Sequence, residues 1–184
     1  MYVPRQPRTG GLCDAATMTT DAVTWRNSRP RKRMGAGVLV RDDAGRVLVV
    51  ETTYKATWEI PGGSVEADES PRSACVREVE EELGLRIEVG RLLCLEWQGP
   101  EPDRTESLMF VYDGGVFADP SRIRLPADEL ASFRFVAPDE LDVVLVERLV
   151  RRVRAALSAL ADGSVAELEN GVLAETGSGR EASG

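Results

Sequence analysis

The heptapeptide VREVEEE, at positions 76–82, holds four glutamates, and carboxylates this close repel one another unless water or a cation separates them. In an α-helix, with about 100° between successive residues, Glu78, Glu81 and Glu82 share one stripe and Glu80 leaves it. Carboxylate oxygens are ligands that Mg²⁺ prefers. A run of glutamates taken alone is more often a solvated helix face. The heptapeptide is therefore either a metal site or a solvated surface.

The residues around the heptapeptide predict the helix that positions it. Ser70 suits the N-cap, Pro71 the first helical position and Gly84 a left-handed C-terminal residue, so the helix is expected to span residues 71–83. Beside the acidic stripe lies an apolar arc, which consists of Cys75, Val76, Val79 and Leu83. If this arc packs on a core, the carboxylates beside it are partly buried and need a compensating positive charge.

Composition narrows the chemistry further. The chain has 184 residues, 42% of them hydrophobic, a net charge of -8 and no histidine. The lack of histidine removes Ser-His triads and most transition-metal sites. Three widely separated cysteines fit neither a disulfide framework nor a zinc site. The acidic body argues against sequence-independent nucleic-acid binding, and without a long apolar run or a signal peptide the protein is expected to be cytoplasmic.

Apolar patterning divides the chain into three parts. These are a disordered N-terminal arm (1–24), one domain (25–165) and a C-terminal turn with a flexible tail (166–184). Strand patterns lie within residues 34–52, 58–61, 85–98, 107–117 and 132–136. A second helix, with leucines at helical spacing, is expected over 143–161. Strands interrupted by two helices predict an α+β fold in which a mixed sheet lies between helices.

A longer pattern contains the heptapeptide and resembles the signature of the Nudix hydrolases. That signature reads Gly, five residues, Glu, seven residues, Arg-Glu-aliphatic, one residue, Glu-Glu, one residue, Gly-aliphatic. Its specified positions are filled by Gly63, Glu69, Arg77, Glu78, Val79, Glu81, Glu82, Gly84 and Leu85. The resemblance covers about residues 34–165 and implies a Nudix-type α/β/α sandwich with a mixed central sheet. It also implies that the chain uses a divalent cation to hydrolyse a nucleoside diphosphate linked to another moiety.

The resemblance assigns a metal site to the acidic stripe. Glu78, Glu81 and Glu82 are implied to bind Mg²⁺, or Mn²⁺ in its place, together with the carbonyl of Gly62. All three glutamates are also catalytic candidates, since one of them would take the proton of the attacking water. Which glutamate does so varies within the family and stays open.

Three further residues are expected to support the metal site rather than to bind the metal. Gly63 permits a tight turn and a close approach of the backbone. An ion pair between Glu69 and Arg77 would hold the loop and the helix in register, because metal ligands need partners that orient them.

Candidates for substrate binding lie outside the signature. Lys55 could reach a phosphate, Trp97 or Phe110 could stack on a base, and Glu129 lies where relatives often place an additional acid. Each also has an ordinary interpretation, as a solvated lysine, a core aromatic or a surface acid.

The resemblance gives a reaction class rather than a substrate. In the family, ADP-ribose pyrophosphatases tend to have a proline about 15 or 16 residues past the signature, where this chain has Pro100, although a turn explains a proline there as well. Nucleoside triphosphates and nucleotide sugars stay open. One alternative is a module that binds or senses ADP-ribose or a nucleotide without turnover. Isoprenoid diphosphate isomerisation, which also occurs on this fold, relies on histidines that the chain lacks.

The implied partner is a small-molecule nucleotide. A homodimer is expected from family habit alone. Neither a membrane nor a nucleic acid is expected as a partner.

Overall fold

The computed structural model describes residues 28–53, 57–126 and 130–174. The elements below belong to one compact unit that begins at Lys32. The predictions for the N-terminal arm, for Lys55 and for Glu129 fall outside the described residues, as does the tail beyond residue 174.

A mixed sheet forms the centre of the described structure. Its strands are β1 (Arg33–Arg41), β2 (Val47–Thr52), β3 (Trp58–Glu59), β4 (Gly62–Ser64), β5 (Leu92–Gln98), β6 (Ser107–Val116), β7 (Leu130–Val136), β8 (Ala166–Glu169) and β9 (Val172–Leu173). The order is β3-β2-β1-β6-β5-β8-β9, with β4 paired to β1 and β7 to β2. The pairs β1/β6 and β5/β8 are parallel and the others antiparallel. The prediction of a mixed central sheet is therefore confirmed.

The first helix, α1 (Pro71–Leu83), has the bounds that the sequence predicts. The Ser70 hydroxyl accepts a hydrogen bond from the Ser73 N–H at 3.1 Å, and Gly84 ends the helix with φ 64°. The helix buries Cys75, Val79 and Leu83 of the predicted apolar arc, together with Ala74, against one face of the sheet. Val76, the fourth residue of the predicted arc, is only half-buried. Packing of the buried residues fixes the direction in which the neighbouring glutamates point.

The second helix, α2 (Glu147–Asp162), covers the opposite face of the sheet. It begins later than the sequence predicts, because Leu141–Val143 forms a 3₁₀ turn and Val146 is extended. The predicted leucine stripe packs on the core as expected, and two apolar clusters separated by the sheet result. This arrangement confirms the α/β/α sandwich. Neither α1 nor α2, the α-helices of the described residues, has the length and apolar character needed to cross a membrane.

The strand predicted over residues 85–98 begins only at Leu92. Ile87 and Val89 pack on the core, which accounts for the alternating pattern. They do not pair with a neighbouring strand. The Arg72 guanidinium instead donates hydrogen bonds to the carbonyl oxygens of Val89 and Gly90.

The sheet also continues past residue 165, where the sequence predicts only a turn and a tail. β8 pairs with β5, buries Ala166 and Leu168 and leaves the two glutamates of AELE exposed. The predicted turn follows at Asn170 and Gly171, whose φ angles are 51° and 79°. A strand of four residues carries too little alternation to be separated from a loop by pattern alone.

Candidate active site

Two glycines of β4 allow the backbone to approach β1 and α1 closely. Gly62 has φ 141°, and a Cβ there would lie 2.3 Å from the carbonyl oxygen of Ala36. At Gly63, a Cβ would lie 2.4 Å from Oε1 of Glu78. No larger residue fits either position without displacing a neighbour, so the PGG sequence provides the space in which the Glu78 carboxylate lies.

Glu78 and Glu82 face this strand from consecutive turns of α1. Oε2 of Glu82 accepts a hydrogen bond from the Gly62 N–H at 2.9 Å. The Glu78 side chain is only 17% exposed. Burial raises the pKa of the Glu78 carboxyl, and the hydrogen bond and charge of Arg77 offset part of that rise. The helix thus brings two of the three predicted ligands together at the edge of the core.

Arg77 connects the loop before α1 with the glutamates of the helix. Its Nε and Nη2 donate to the two carboxylate oxygens of Glu69 at 3.0 and 2.9 Å, and Nη2 also donates to the Ser64 carbonyl at 3.0 Å. Its Nη1 donates to Glu78 and to Glu81, each at 2.9 Å. The expected contact between Glu69 and Arg77 is present, and hydrogen bonds from Arg77 lower the pKa of Glu69 below its usual range.

Glu81 and Glu80 are more exposed than Glu78 and Glu82, which are half-buried. The Glu81 side chain is 54% exposed and reaches Arg77 rather than the space beside β4. Glu80 pairs with Arg86 at 2.9 Å on the exposed side of the helix. Glu80 is thus the solvated charge that the helical geometry predicts.

The donor set beside β4 suits a hard cation. Within residues 28–53, 57–126 and 130–174, no three acidic, histidine or cysteine side chains already surround a common metal position. All of the candidate ligands are oxygen atoms, and the Glu78 carboxylate lies in a space that is open only because residue 63 is glycine. Mg²⁺ takes one or two carboxylates and keeps several waters, so these residues fit it.

A cavity of about 720 Å³ extends from these carboxylates across the sheet towards α2. We call its two ends the acidic end, formed by Gly62, Gly63, Glu78 and Glu82, and the arginine end, formed by Arg33, Gln98, Arg104, Ser107, Arg148 and Arg152. The volume lies within the range of ordinary small-molecule sites, about 300–1,000 Å³.

The two aromatic candidates for base stacking, Phe110 and Trp97, differ in their position relative to this cavity. Phe110 lines it. Trp97 is not among the described residues that line it, and its Nε1 donates to Glu106 at 3.0 Å. The structure thus does not bring Trp97 to the acidic end.

Sequence reasoning missed the arginine end. Arg104, Arg148 and Arg152 come from a loop and from α2, where an arginine usually reads as a solvated charge. One signal was available: Arg152 falls beside Leu149 and Val153 on the face of α2 that the leucine spacing assigns to the core.

Comparisons with known proteins agree with this architecture. The family model described as the NUDIX domain matches residues 31–159. A putative 8-oxo-dGTP diphosphatase of Bacillus subtilis (strain 168) is 28% identical over 142 residues, which cover 76% of this chain and 90% of that protein. A MutT-like protein of Streptomyces ambofaciens is 51% identical over 57 residues, which cover 31% of this chain and only 36% of the relative.

Solved structures include similar folds. The MutT NUDIX hydrolase from Burkholderia pseudomallei superposes with a TM-score of 0.57 at 28% identity, over 70% of this chain and 98% of that chain. The matched family model spans more than half of the sequence and includes the glutamates of α1. The chain belongs to the Nudix hydrolase family.

Proposed function

We propose that the chain hydrolyses a pyrophosphate linkage in a nucleoside diphosphate linked to another moiety, with Mg²⁺ as the cation. One observation carries the proposal: the Glu78 carboxylate is held in the space that Gly63 leaves open, on the wall of a cavity large enough for a nucleotide. Nudix hydrolases generally use divalent metal ions, and the oxygen donors of this site suit Mg²⁺ or Mn²⁺.

The acidic end and the residues beside it have separate roles in this proposal. Glu78, Glu82 and Glu81 hold the cation, with the Gly62 carbonyl as a further ligand, and one of these glutamates accepts the proton of the attacking water. Bound Mg²⁺ neutralises phosphate oxygens and acidifies or orients the water. Arg77 and Glu69 keep α1 and β4 in register, so that the carboxylates need little rearrangement.

The substrate is proposed as a class. Supporting it are the volume of the cavity, the name of the Bacillus subtilis relative, and the place of Pro100 after the signature, which favours ADP-ribose-like compounds over the others only slightly. ADP-ribose, nucleotide sugars and nucleoside triphosphates are therefore the compounds to test.

A substrate panel with matched variants tests the proposal. ADP-ribose, UDP-glucose, dinucleoside polyphosphates and nucleoside triphosphates, including 8-oxo-dGTP, are incubated with Mg²⁺ and with wild type, Glu82→Gln or Glu80→Gln. We expect Mg²⁺-dependent turnover of at least one compound, a loss of about 10²-fold in kcat/KM for Glu82→Gln, and less than about a twofold change for Glu80→Gln, which lies on the exposed side of the same helix.

Two outcomes would contradict the proposal. No metal-dependent turnover of any compound would remove it, as would turnover that Glu82→Gln leaves unchanged. Saturable binding without turnover would favour the alternative of a sensing module. The homodimer, the exclusion of nucleic acid and the cytoplasmic location stay predictions.

A further inference from the structure

The arginine end collects positive charge from distant parts of an acidic chain. Arg33 lies on β1, Arg104 in the loop between β5 and β6, and Arg148 and Arg152 on successive turns of α2. All four line the same cavity, although the chain as a whole carries a net charge of -8. Such a concentration of one sign inside a concave surface focuses the field on whatever binds there.

Carboxylates balance only part of this charge. Glu101 accepts hydrogen bonds from both Arg104 and Arg148, the latter at 2.8 Å, so one carboxylate serves two guanidinium groups. Glu96 pairs with Arg152. Arg33 donates to the hydroxyl and carbonyl of Thr105 at 3.2 and 2.6 Å, which are neutral acceptors. Among the described residues, these two carboxylates thus contact three of the four guanidinium groups, and the four positive charges exceed the two negative charges by two.

Buried polar groups hold this end in a fixed arrangement. Gln98, Ser107 and Arg152 are 6%, 5% and 6% exposed. In the amide orientation that satisfies both its oxygen and its nitrogen, Gln98 donates to Ser107 Oγ at 3.2 Å and accepts from Arg152 Nη2 and from Arg148 Nε. A site whose donors are already oriented loses little side-chain entropy when it binds a ligand.

The sheet sets the separation between the two ends. β4, β1, β6 and β5 lie side by side, and one row of paired residues crosses them, formed by Ser64, Gly35, Met109 and Glu96. Neighbouring strands are about 4.8 Å apart, so three steps place β5 roughly 14 Å from β4. Arg152 contacts Glu96 and Arg148 contacts Gln98, both residues of β5. These two arginines therefore face a different part of a bound molecule from the part beside Glu78.

We propose that the arginine end binds a second anionic group of the substrate, a phosphate or a carboxylate, which is not part of the pyrophosphate linkage that is cleaved. The inference rests on the proposed function, because it names the class of molecule that the same cavity takes. Guanidinium groups bind phosphate and carboxylate through paired, planar hydrogen bonds, and the positive charge left over at this end favours an anion over the neutral edge of a base.

Matched pairs of compounds test this inference, since the members of each pair differ in one anionic group. UDP-glucuronate and UDP-glucose differ in a carboxylate, and NADPH and NADH differ in a phosphate. Dissociation constants are measured by calorimetry with metal removed by EDTA, and kcat/KM with Mg²⁺ in parallel. In at least one pair, we expect the compound with the additional anionic group to bind about tenfold more tightly than its twin without that group. The pair that shows the preference distinguishes a carboxylate from a phosphate.

Variants locate the preference. Arg148→Gln removes a guanidinium that is about one-third exposed, so the fold should tolerate the change, and we expect it to abolish the preference. Arg154→Gln on the same helix is the control, because Arg154 pairs with Asp142 outside the cavity and the preference should survive its loss. A change in thermal stability shared by both variants would not alter the ratio between twins, which is the quantity compared.

Several results would overturn the inference. Equal affinities within each pair, no binding of any of the four compounds, or an equal loss for both twins in Arg148→Gln would each do so. The two proposals can fail separately. Turnover of both compounds of a pair without a preference supports the hydrolase and overturns the anion site. A binding preference that Arg148→Gln abolishes, without any turnover, supports the anion site and overturns the proposed hydrolysis.

Discussion

The two ends of the cavity carry opposite charges, and each gathers several groups of one sign. Beside the acidic end, Arg77 contacts the carboxylates of Glu69, Glu78 and Glu81. Glu82 is a fourth carboxylate there. At the arginine end, two carboxylates contact three of the four guanidinium groups. In the two proposals above, each end binds a ligand of opposite sign. The proposed substrate is held through a cation beside α1 and through its own negative charge beside α2.

The two ends are also built differently. The acidic end depends on two glycines that bring β4 against α1, so small changes of shape there should affect chemistry more than folding. The arginine end contains a buried ion pair between Glu96 and Arg152. Removing one partner of this pair should therefore reduce stability more than it affects the chemistry.

The largest effect on stability is expected for Arg152→Leu. This change leaves the Glu96 carboxylate buried without its counter-charge, which costs about 3–5 kcal/mol in the free energy of unfolding. Urea denaturation measures the change. The double variant Glu96→Leu/Arg152→Leu should recover most of the loss, because it removes both charges. If Arg152→Leu unfolds like the wild type, the arginine end does not depend on this pair.

Gly63→Ala should reduce catalysis while it leaves the fold largely intact. The added Cβ would overlap the Glu78 carboxylate, which must then move by a large part of an ångström or more. A displacement of that size at a reacting centre costs about 10²-fold in kcat/KM. Steady-state kinetics and a thermal melt on the same preparation separate the two effects. Full activity of the alanine variant would show that the position of Glu78 is not critical.

The smallest effect is the pH dependence of the support pair. Because hydrogen bonds from Arg77 lower the pKa of Glu69 below its usual 4.5, the pair stabilises the folded protein above about pH 4.5 and loses that contribution as the pH falls through the lowered value. The melting temperature of the wild type should exceed that of Glu69→Gln at pH 7, and the difference should shrink in acid. A difference that stays constant down to the lowest accessible pH would contradict this account.

The acidic end could be predicted from the sequence because its parts lie close together in the chain. Residues 62–85 contain both glycines, the support pair and the glutamates, and helical geometry alone separates Glu80 from the others. The caps of α1 were predictable for the same reason. What helical geometry left open was the depth of each carboxylate, since Glu81 lies on the predicted stripe and yet is half exposed.

The arginine end and the far edge of the sheet could not be predicted in this way. Arg33 and Arg104 are brought together by the pairing of β1 with β6 and of β6 with β5. Arg148 joins them through the packing of α2 on the sheet. All of these are long-range contacts that no local pattern encodes. β8 joins the sheet through a parallel pairing with β5. Residue type alone makes Trp97 a candidate for stacking on a base. The pleat of β5, however, determines which side chains of that strand reach the cavity.

The central claim, that the acidic end holds a divalent cation, is tested most directly by binding of Mn²⁺ in the absence of substrate. Electron paramagnetic resonance of free Mn²⁺ gives its affinity for the wild type, Glu78→Gln, Glu82→Gln and Glu80→Gln. We predict saturable binding by the wild type, a loss of about tenfold or more in affinity for Glu78→Gln and Glu82→Gln, and unchanged binding for Glu80→Gln. Equal affinity in all four proteins, or no binding by the wild type, would contradict the claim.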